Sequence, residues 1–268
     1  MAYKYGRRPP KNAPALQLAS FLRRAAPGAP GYPASEDYLG KLGGGWQMLG
    51  NDVAGDCNAV TWANMRRLVT AALATENYPT QAQVWAFYQT QNPDFDPDGS
   101  SGANGPGSSA DGGMDIQTGL EYLHASGGPD GVKAVAFAKV DHTSLPEVRA
   151  ALAIFGGLWL GIEVLDANQQ EFADGKAWTD VRGSAVDGGH AILGGGYEQG
   201  VKFITWARET RFASSFWNGV VQGRPLVSEA WVAIWPEQVG TAEFEQGVDQ
   251  AQLAADYLAL TGQPLALP

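Results

Sequence analysis

Apolar residues recur at intervals of three and four in the stretch that follows Asn58. Trp62, Met65, Val69 and Leu73 follow this spacing, which is typical of a helix with one buried face. The residue just before this stretch is Cys57. The pattern therefore predicts a buried helix with Cys57 at its entrance.

Three further helices are predicted from their first turns. Thr80 with Gln83 forms the pattern of a capping box, and so does Ser144 with Glu147, which has a proline between them. Another apolar helix face begins after Asp115. These helices are all expected in the first 155 residues.

Later apolar runs are short and rich in β-branched and aromatic residues, and they are separated by glycine or charged turns, which predicts strands. The predicted strands are Leu158–Leu165, Ala191–Tyr197, Val201–Trp206 and Ala230–Trp235. Helices that precede strands in this way indicate an α+β fold, with a helical lobe followed by an antiparallel sheet or barrel lobe. A site is then expected in the cleft between the two lobes.

The chain is divided into three parts by its composition. Residues 1–45 are rich in proline, glycine and arginine and are predicted to be an extended arm with one short helix over Leu16–Arg24. Residues 46–240 form the main domain, and 241–268 are expected to form a helical tail. Residues 1–24 carry six basic and no acidic side chains. We expect this arm to be a solvated tail, with tethering to a partner or to nucleic acid as the alternative.

Charge and composition exclude several classes of protein. With 44% hydrophobic and 17% charged residues the chain is globular rather than disordered. Its net charge of −10 argues against nucleic-acid binding outside the arm. Neither a membrane-spanning segment nor a signal peptide is predicted, so we expect a cytoplasmic or virion-associated protein. The sequence predicts no oligomeric state.

Cys57 is the single cysteine of the chain, so an internal disulfide is excluded. A lone cysteine is usually a small buried hydrophobe. Its place after Gly55 and Asp56 at a helix start is different, because the exposed N–H groups there favour a thiolate. Cys57 is therefore a candidate nucleophile.

A thiolate nucleophile needs an imidazole partner, and the chain has three histidines. His124 and His142 are expected to be surface or structural residues. His190 follows two glycines and begins a predicted core strand, where small neighbours leave room for a second group. It is the candidate partner of Cys57.

Four features in order resemble the papain family of cysteine peptidases. They are the loop Gly50–Cys57, the segment Asp111-Gly112-Gly113 before a helix, the strand from Gly189-His190 to Gly196-Tyr197, and the strand Val201–Trp206. The separation of 133 residues between Cys57 and His190 also matches the ~130–150 of that family. The resemblance covers roughly residues 46–235 and is closest to uncharacterised papain-like proteins of actinobacteria and their phages.

The resemblance implies a two-lobed papain-like fold and a thiol hydrolase that cleaves peptide or related amide bonds without a cofactor or metal. Asn51 stands where the family has an oxyanion-stabilising glutamine, and Thr205 stands in place of the asparagine that orients the imidazole. The peptide substrate would pair with the backbone of a glycine segment. The predicted substrate-binding residues are Gly55, Gly112, Gly113 and Gly189.

Two other readings stay open at this stage. A binding or assembly protein, for example a virion component, could keep the fold with an inactive pair. A cell-wall amidase or acyltransferase could use the same chemistry on another substrate.

The loop after Asn92 contains Asp94, Asp96 and Asp98, the opening of a calcium-binding pattern. Gly105 stands where that pattern needs a glutamate. A solvated acidic loop is therefore the favoured prediction, with calcium as the alternative.

Overall fold

The protein is described from a computed structural model over residues 3–23 and 32–268. The described residues form a mixed α+β structure. Its helices are α1 (Leu18–Phe21), α2 (Cys57–Ala72), α3 (Gln81–Gln89), α4 (Ile116–Ala125), α5 (Leu145–Phe155), α6 (Asp166–Ala173), α7 (Ser214–Trp217), α8 (Ala242–Gly247) and α9 (Gln250–Thr261). No helix within these residues is both long and apolar enough to cross a membrane.

One large sheet organises the second half of the chain. The strands are β1 (Leu16–Gln17), β2 (Glu36–Asp37), β3 (Ala136–Lys139), β4 (Leu158–Leu165), β5 (Val186–Tyr197), β6 (Val201–Thr205), β7 (Arg208–Arg211), β8 (Val220–Val221), β9 (Arg224–Pro225) and β10 (Val227–Ile234). The order in the sheet is β1-β3-β10-β4-β5-β6-β7, with β2 on β5 and with β8 and β9 as a separate pair. All pairs are antiparallel except β1 with β3.

Both faces of the central strands are buried, because successive side chains of a strand point to opposite sides. On β4, Leu158 and Leu160 join one apolar cluster and Trp159 joins the other. The second cluster also contains Cys57 and the apolar faces of α2, α3 and α4. The sheet therefore packs the helix that begins at Cys57 against the middle of β5.

One of the two predicted capping boxes is present, and the helix predicted after Asp115 begins there with a cap. Thr80 and Gln83 form the predicted capping box, and the Asp115 carboxylate accepts a hydrogen bond from the N–H of Thr118. The Ser144–Glu147 capping box is wrong. The Ser144 side chain makes no cap, and the Glu147 carboxylate accepts from the N–H of Asp141 instead.

The prediction of an α+β fold is confirmed, and the four predicted strands are present as β4, β5, β6 and β10. The segment Leu16–Arg24 differs from its prediction as one helix. It begins as strand β1, paired in parallel with β3, and continues as the short α1, while Arg24 lies outside the described residues. Tertiary pairing at Leu16 has overridden a weak helical pattern.

The prediction of a solvated basic arm is also wrong for residues 3–23. The side chain of Arg7 is 1% exposed and paired with two carboxylates. Arg8 and Arg23 donate to backbone carbonyls of the domain, and Lys11 pairs with Glu121. The arm is bound along the surface of the protein by its own basic residues.

Helix α2 is fixed at its far end by a buried ion network. The Arg66 guanidinium donates to Asp130 at 2.7 Å and to both carboxylate oxygens of Glu237. It also lies over the ring of Trp235, 4.6 Å from the ring centroid. Since Arg66 and Asp130 are each 1% exposed, the charge of one depends on the other.

We expect Arg66→Met to lower the free energy of unfolding by about 3–5 kcal/mol, because Asp130 is left buried without its cation. Adding Asp130→Asn should restore part of the loss, since the uncompensated charge is removed. Urea unfolding of the single and double variants tests this. Exposed Arg182 provides the control Arg182→Met, with a change within about 0.5 kcal/mol. A double variant no more stable than Arg66→Met would contradict this account.

Candidate active site

Cys57 is the first residue of α2, and its side chain is 1% exposed. Its Sγ accepts a hydrogen bond from the backbone N–H of Ala191 at 3.4 Å. Ala191 is the chain neighbour of His190 in β5, so the thiol lies against the strand that carries the histidine. The two residues, 133 positions apart, are brought to one place where α2 packs on β5.

His190 is held from two sides. Its Nε2 shares a 2.7 Å hydrogen bond with Oγ1 of Thr205, and the ring stacks on Trp206 with centroids 4.6 Å apart. Its Nδ1 is buried and has no hydrogen-bond partner among the described residues. Thr205, which stands where the family has its orienting asparagine, thus contacts the imidazole at Nε2.

The thiol and the imidazole are both neutral in this state. Burial raises the pKa of Cys57 to about 12, Asp56 acts in the same direction, and the backbone N–H groups of Ala191 and Gly6 oppose it. Burial lowers the pKa of His190 to about 3, and the nearby Arg7 cation lowers it further. Exclusion of water thus disfavours both the thiolate and the imidazolium.

Asn51 is buried, and its side-chain hydrogen bond is made within its own loop rather than to the thiol. Its amide donates to the carbonyl of Ala54 at 3.4 Å, within its own loop. In the described part of the chain no hydrogen bond joins Asn51 to Cys57 or His190. Asn51 lies near Asp56, whose pKa it lowers.

Asp56 is a site residue that sequence reasoning used only as part of a loop. It precedes Cys57 and is fully buried, and neither carboxylate oxygen has a hydrogen-bond partner among the described residues. Burial raises its pKa well above the usual range, and the charge of Asp111 adds to this. Its surroundings therefore favour the protonated carboxyl group, while a negative charge on Asp56 would raise the pKa of the adjacent thiol.

Residues 5–8 of the arm fill the groove above Cys57. The N–H of Arg7 donates to the carbonyl of Gly189 at 3.0 Å, and the N–H of Met114 donates to the carbonyl of Gly6 at 2.7 Å. The N–H of Arg8 donates to Met114 at 2.8 Å, so the arm pairs in parallel with this segment. The arm therefore lies in the groove as an added strand.

The groove admits a backbone because its walls are glycines. A Cβ on Gly6 would lie 1.7 Å from the carbonyl oxygen of Gly55, and a Cβ on Gly113 would lie 2.1 Å from the oxygen of Gly6. A Cβ on Gly189 would lie 2.6 Å from the oxygen of Arg7. Any side chain at these positions would exclude the arm.

All four glycines predicted to bind substrate contact the arm. Gly55, Gly113 and Gly189 make the close approaches just described, and the carbonyl of Gly112 accepts from Nε of Arg8 at 2.9 Å. No local pattern indicates the occupant, since residues 5–8 lie about 50 positions before Cys57 in the sequence. The contact with the arm is the feature that sequence reasoning missed.

Aromatic residues of the arm complete the cover. Tyr5 meets the His190 ring edge to face, with centroids 5.8 Å apart, and Tyr3 stacks on Trp206 at 4.2 Å. The same polypeptide segment thus shields both the thiol and the imidazole from water.

The acidic loop at Asp94, Asp96 and Asp98 gathers no metal site. Among residues 3–23 and 32–268 no group of three potential metal-ligating side chains is found. The Asp96 carboxylate accepts from the N–H of Asp98 at 3.0 Å. This hydrogen bond, between residues two positions apart, stabilises a local turn in the loop.

Comparison with solved structures shows the fold. Xylellain, a cysteine protease from Xylella fastidiosa, aligns with a TM-score of 0.60 at 14% identity, over 87% of this chain and 98% of its own. Procathepsin B S9 from Trypanosoma congolense aligns with a TM-score of 0.57 at 11% identity, over 86% of each chain.

The sequence itself gives no further relatives. No protein-family model matches it. A search of curated proteins also found no match.

His190 should make stability dependent on acid. Its pKa is about 3 in the folded protein and ~6.5 when unfolded, so below pH 6.5 the unfolded state binds a proton that the folded state does not. We therefore expect its contribution to stability to fall by up to about 1.4 kcal/mol per pH unit as the pH decreases from 6.5 towards 3.

His190→Gln should remove this part of the pH dependence. Urea unfolding from pH 7 to pH 4 should give a shallower curve for the variant than for the wild type. Parallel curves would show that His190 is already protonated or solvent-accessible in the folded protein.

Taken together, the geometry and the comparisons show that this chain has the fold of the papain-like cysteine proteases.

Proposed function

We propose that the protein is a papain-like thiol hydrolase that cleaves peptide or related amide bonds through Cys57 and His190. The observation that carries this proposal is the groove above Cys57, where glycine walls already hold an extended polypeptide. A groove of this form suits a peptide backbone. It lies directly over a cysteine at a helix N-terminus, where a thiolate is favoured once water enters.

In the proposed reaction Cys57 attacks a carbonyl carbon as a thiolate. His190 takes the thiol proton and delivers it to the leaving amine, and water then releases the acyl enzyme. Thr205 holds the imidazole at Nε2, which leaves Nδ1 for the proton transfer. The oxyanion would be stabilised by the Cys57 N–H and by Asn51, whose amide must turn away from Ala54 to take part.

The bound arm explains why this state is latent. The Gly6 backbone acts on the thiol as an N–H donor, and the Gly6 carbonyl oxygen is already bound to the N–H of Met114. The arm therefore covers the thiol, and its backbone is held there by hydrogen bonds of its own. Peptide cleavage would require residues 5–8 to leave the groove.

Gly6→Leu should displace the arm, because its Cβ would collide with the backbone oxygen of Gly55. With water admitted, the pKa of Cys57 should fall from about 12 to ~8.5 or lower. We expect alkylation of Cys57 by iodoacetamide at pH 7 to become at least about 100-fold faster than in the wild type.

The matched control is Gly102→Leu, since a Cβ at Gly102 meets nothing within 4 Å. Its alkylation should stay at the wild-type rate. Adding His190→Ala to Gly6→Leu should raise the pKa of the thiol again. If Gly6→Leu reacts no faster than the wild type, the arm does not control the thiol.

The hydrolase itself is tested with Gly6→Leu on a mixture of denatured proteins and on purified peptidoglycan. Cleavage of the proteins that is lost in Cys57→Ala supports the proposal. Digestion of peptidoglycan alone would favour a cell-wall amidase or acyltransferase.

A binding or assembly protein is the second candidate, for example a virion component. The observation that favours it is the deep burial of Arg7, which is typical of a permanent structural contact. In that case neither substrate is cleaved, even by a displaced-arm variant with a reactive thiol. We also propose a cytoplasmic or virion-associated location for the protein.

A further inference from the structure

The side chain of Arg7 leaves the arm and enters a pocket beside the candidate active site. Its NH2 group contacts the carboxylate of Glu163, and its NH1 group lies 3.3 Å from Oε1 of Glu229. Nε donates to the carbonyl of Ile162 at 3.3 Å. Three nitrogens of one guanidinium thus have separate acceptors.

The pocket is part of the sheet rather than of the arm. Ile162 pairs directly with His190 across β4 and β5, Glu163 pairs with Gly189, and Glu229 pairs with Gly161 across β10 and β4. The acidic residues are therefore fixed one register position from the histidine.

Two glycines make room for the guanidinium. A Cβ on Gly161 would lie 2.7 Å from Oε1 of Glu229 and 2.9 Å from Cδ of Arg7. A Cβ on Gly189 would lie 3.4 Å from NH2 of Arg7. The absence of side chains at these two positions thus leaves the space that the arginine side chain occupies.

The side chain of Glu229 is held in this pocket by a hydrogen bond from Trp231. Its side chain is 1% exposed, and its Oε2 accepts from the indole N–H of Trp231 at 2.8 Å. That bond leaves Oε1 directed at the guanidinium. When the arm leaves, two carboxylates of low exposure remain without a cation, a state that a cationic ligand stabilises.

We propose that this pocket, formed by Glu163, Glu229, Gly161 and Gly189, selects substrates with an arginine side chain, and that Arg7 occupies it as a stand-in. The proposal rests on the proposed function, because it names the substrate class of the same groove. Arginine is preferred to lysine, since one ammonium cannot reach the three acceptors that the planar fork contacts.

The test uses the full-length chain with Gly6→Leu and Arg7→Ala, so that the arm cannot fill the pocket. The probes are peptide pairs identical except for one arginine or its uncharged analogue citrulline, with that residue moved along the peptide. The first readout is protection of Cys57 from iodoacetamide, and the second is release of a fluorescent amine from the same peptides.

At one position in the series we expect the arginine peptide to protect Cys57 at concentrations about 10- to 100-fold lower than the citrulline peptide. Glu229→Gln or Glu163→Gln should remove most of this difference. The control is Glu121→Gln, which removes the exposed partner of Lys11 on the same arm and should keep it.

Equal protection by arginine and citrulline peptides, or a preference that persists in both pocket variants, would overturn the proposal. Protection with arginine preference but no amine release would support the pocket and refute the hydrolase. Release without arginine preference would do the opposite. If the double variant does not fold by circular dichroism, Gly6→Leu alone serves, since displacement of the arm backbone also withdraws Arg7 from the pocket.

Discussion

The close approach of the arm backbone to a groove of glycines is the contact on which the state of this site depends. Gly6 lies against Gly55 and Gly113 at distances that exclude a Cβ, so the arm and the groove fit only as bare backbone. Once seated, the arm directs Tyr5 to the imidazole and Arg7 to the acidic pocket. One steric fit thus sets the positions of several side chains.

Exclusion of water then decides the charges. A thiolate and an imidazolium stabilise each other in a wet cleft, but here burial dominates and both groups are neutral. Arg7, the arm cation that acts on His190, opposes protonation of the imidazole and is itself paired with Glu163 and Glu229. The arm therefore covers both groups and disfavours their charged forms.

Much of the fold could be predicted from the sequence, because the patterns that indicate its helices and strands are local. The Thr80 cap, the apolar face after Cys57 and the β-branched runs of β4 and β10 each depend on residues close in sequence. The candidate pair was reached through the place of Cys57 at a helix start and through a resemblance in spacing. The strand of Thr205 neighbours that of the histidine, and the two side chains share a hydrogen bond.

The path of the arm could not be predicted, because the contacts that hold it on the domain are distant in sequence. Arg7 pairs with residues 156 and 222 positions away, and as single letters Glu163 and Glu229 resemble ordinary charged strand residues. A glycine likewise gives no sequence signal of the backbone that will approach it. Six basic residues without an acid look like a solvated tail unless the carboxylates that bind Arg7 are known.

The same pocket links release of the arm to charge. Burial raises the pKa of Glu229, and Arg7 lowers it, so a proton and the guanidinium compete for this carboxylate. Protonation of Glu229 weakens the hold on Arg7, and protonation of His190 requires water that only a displaced arm admits. Protonation of Glu229 and protonation of His190 therefore both favour displacement of the arm.

An arginine-bearing ligand also favours displacement of the arm, since it replaces Arg7 without changing the charge of the pocket. It must do so against a tethered competitor, whose effective concentration near the groove is high because it belongs to the same chain.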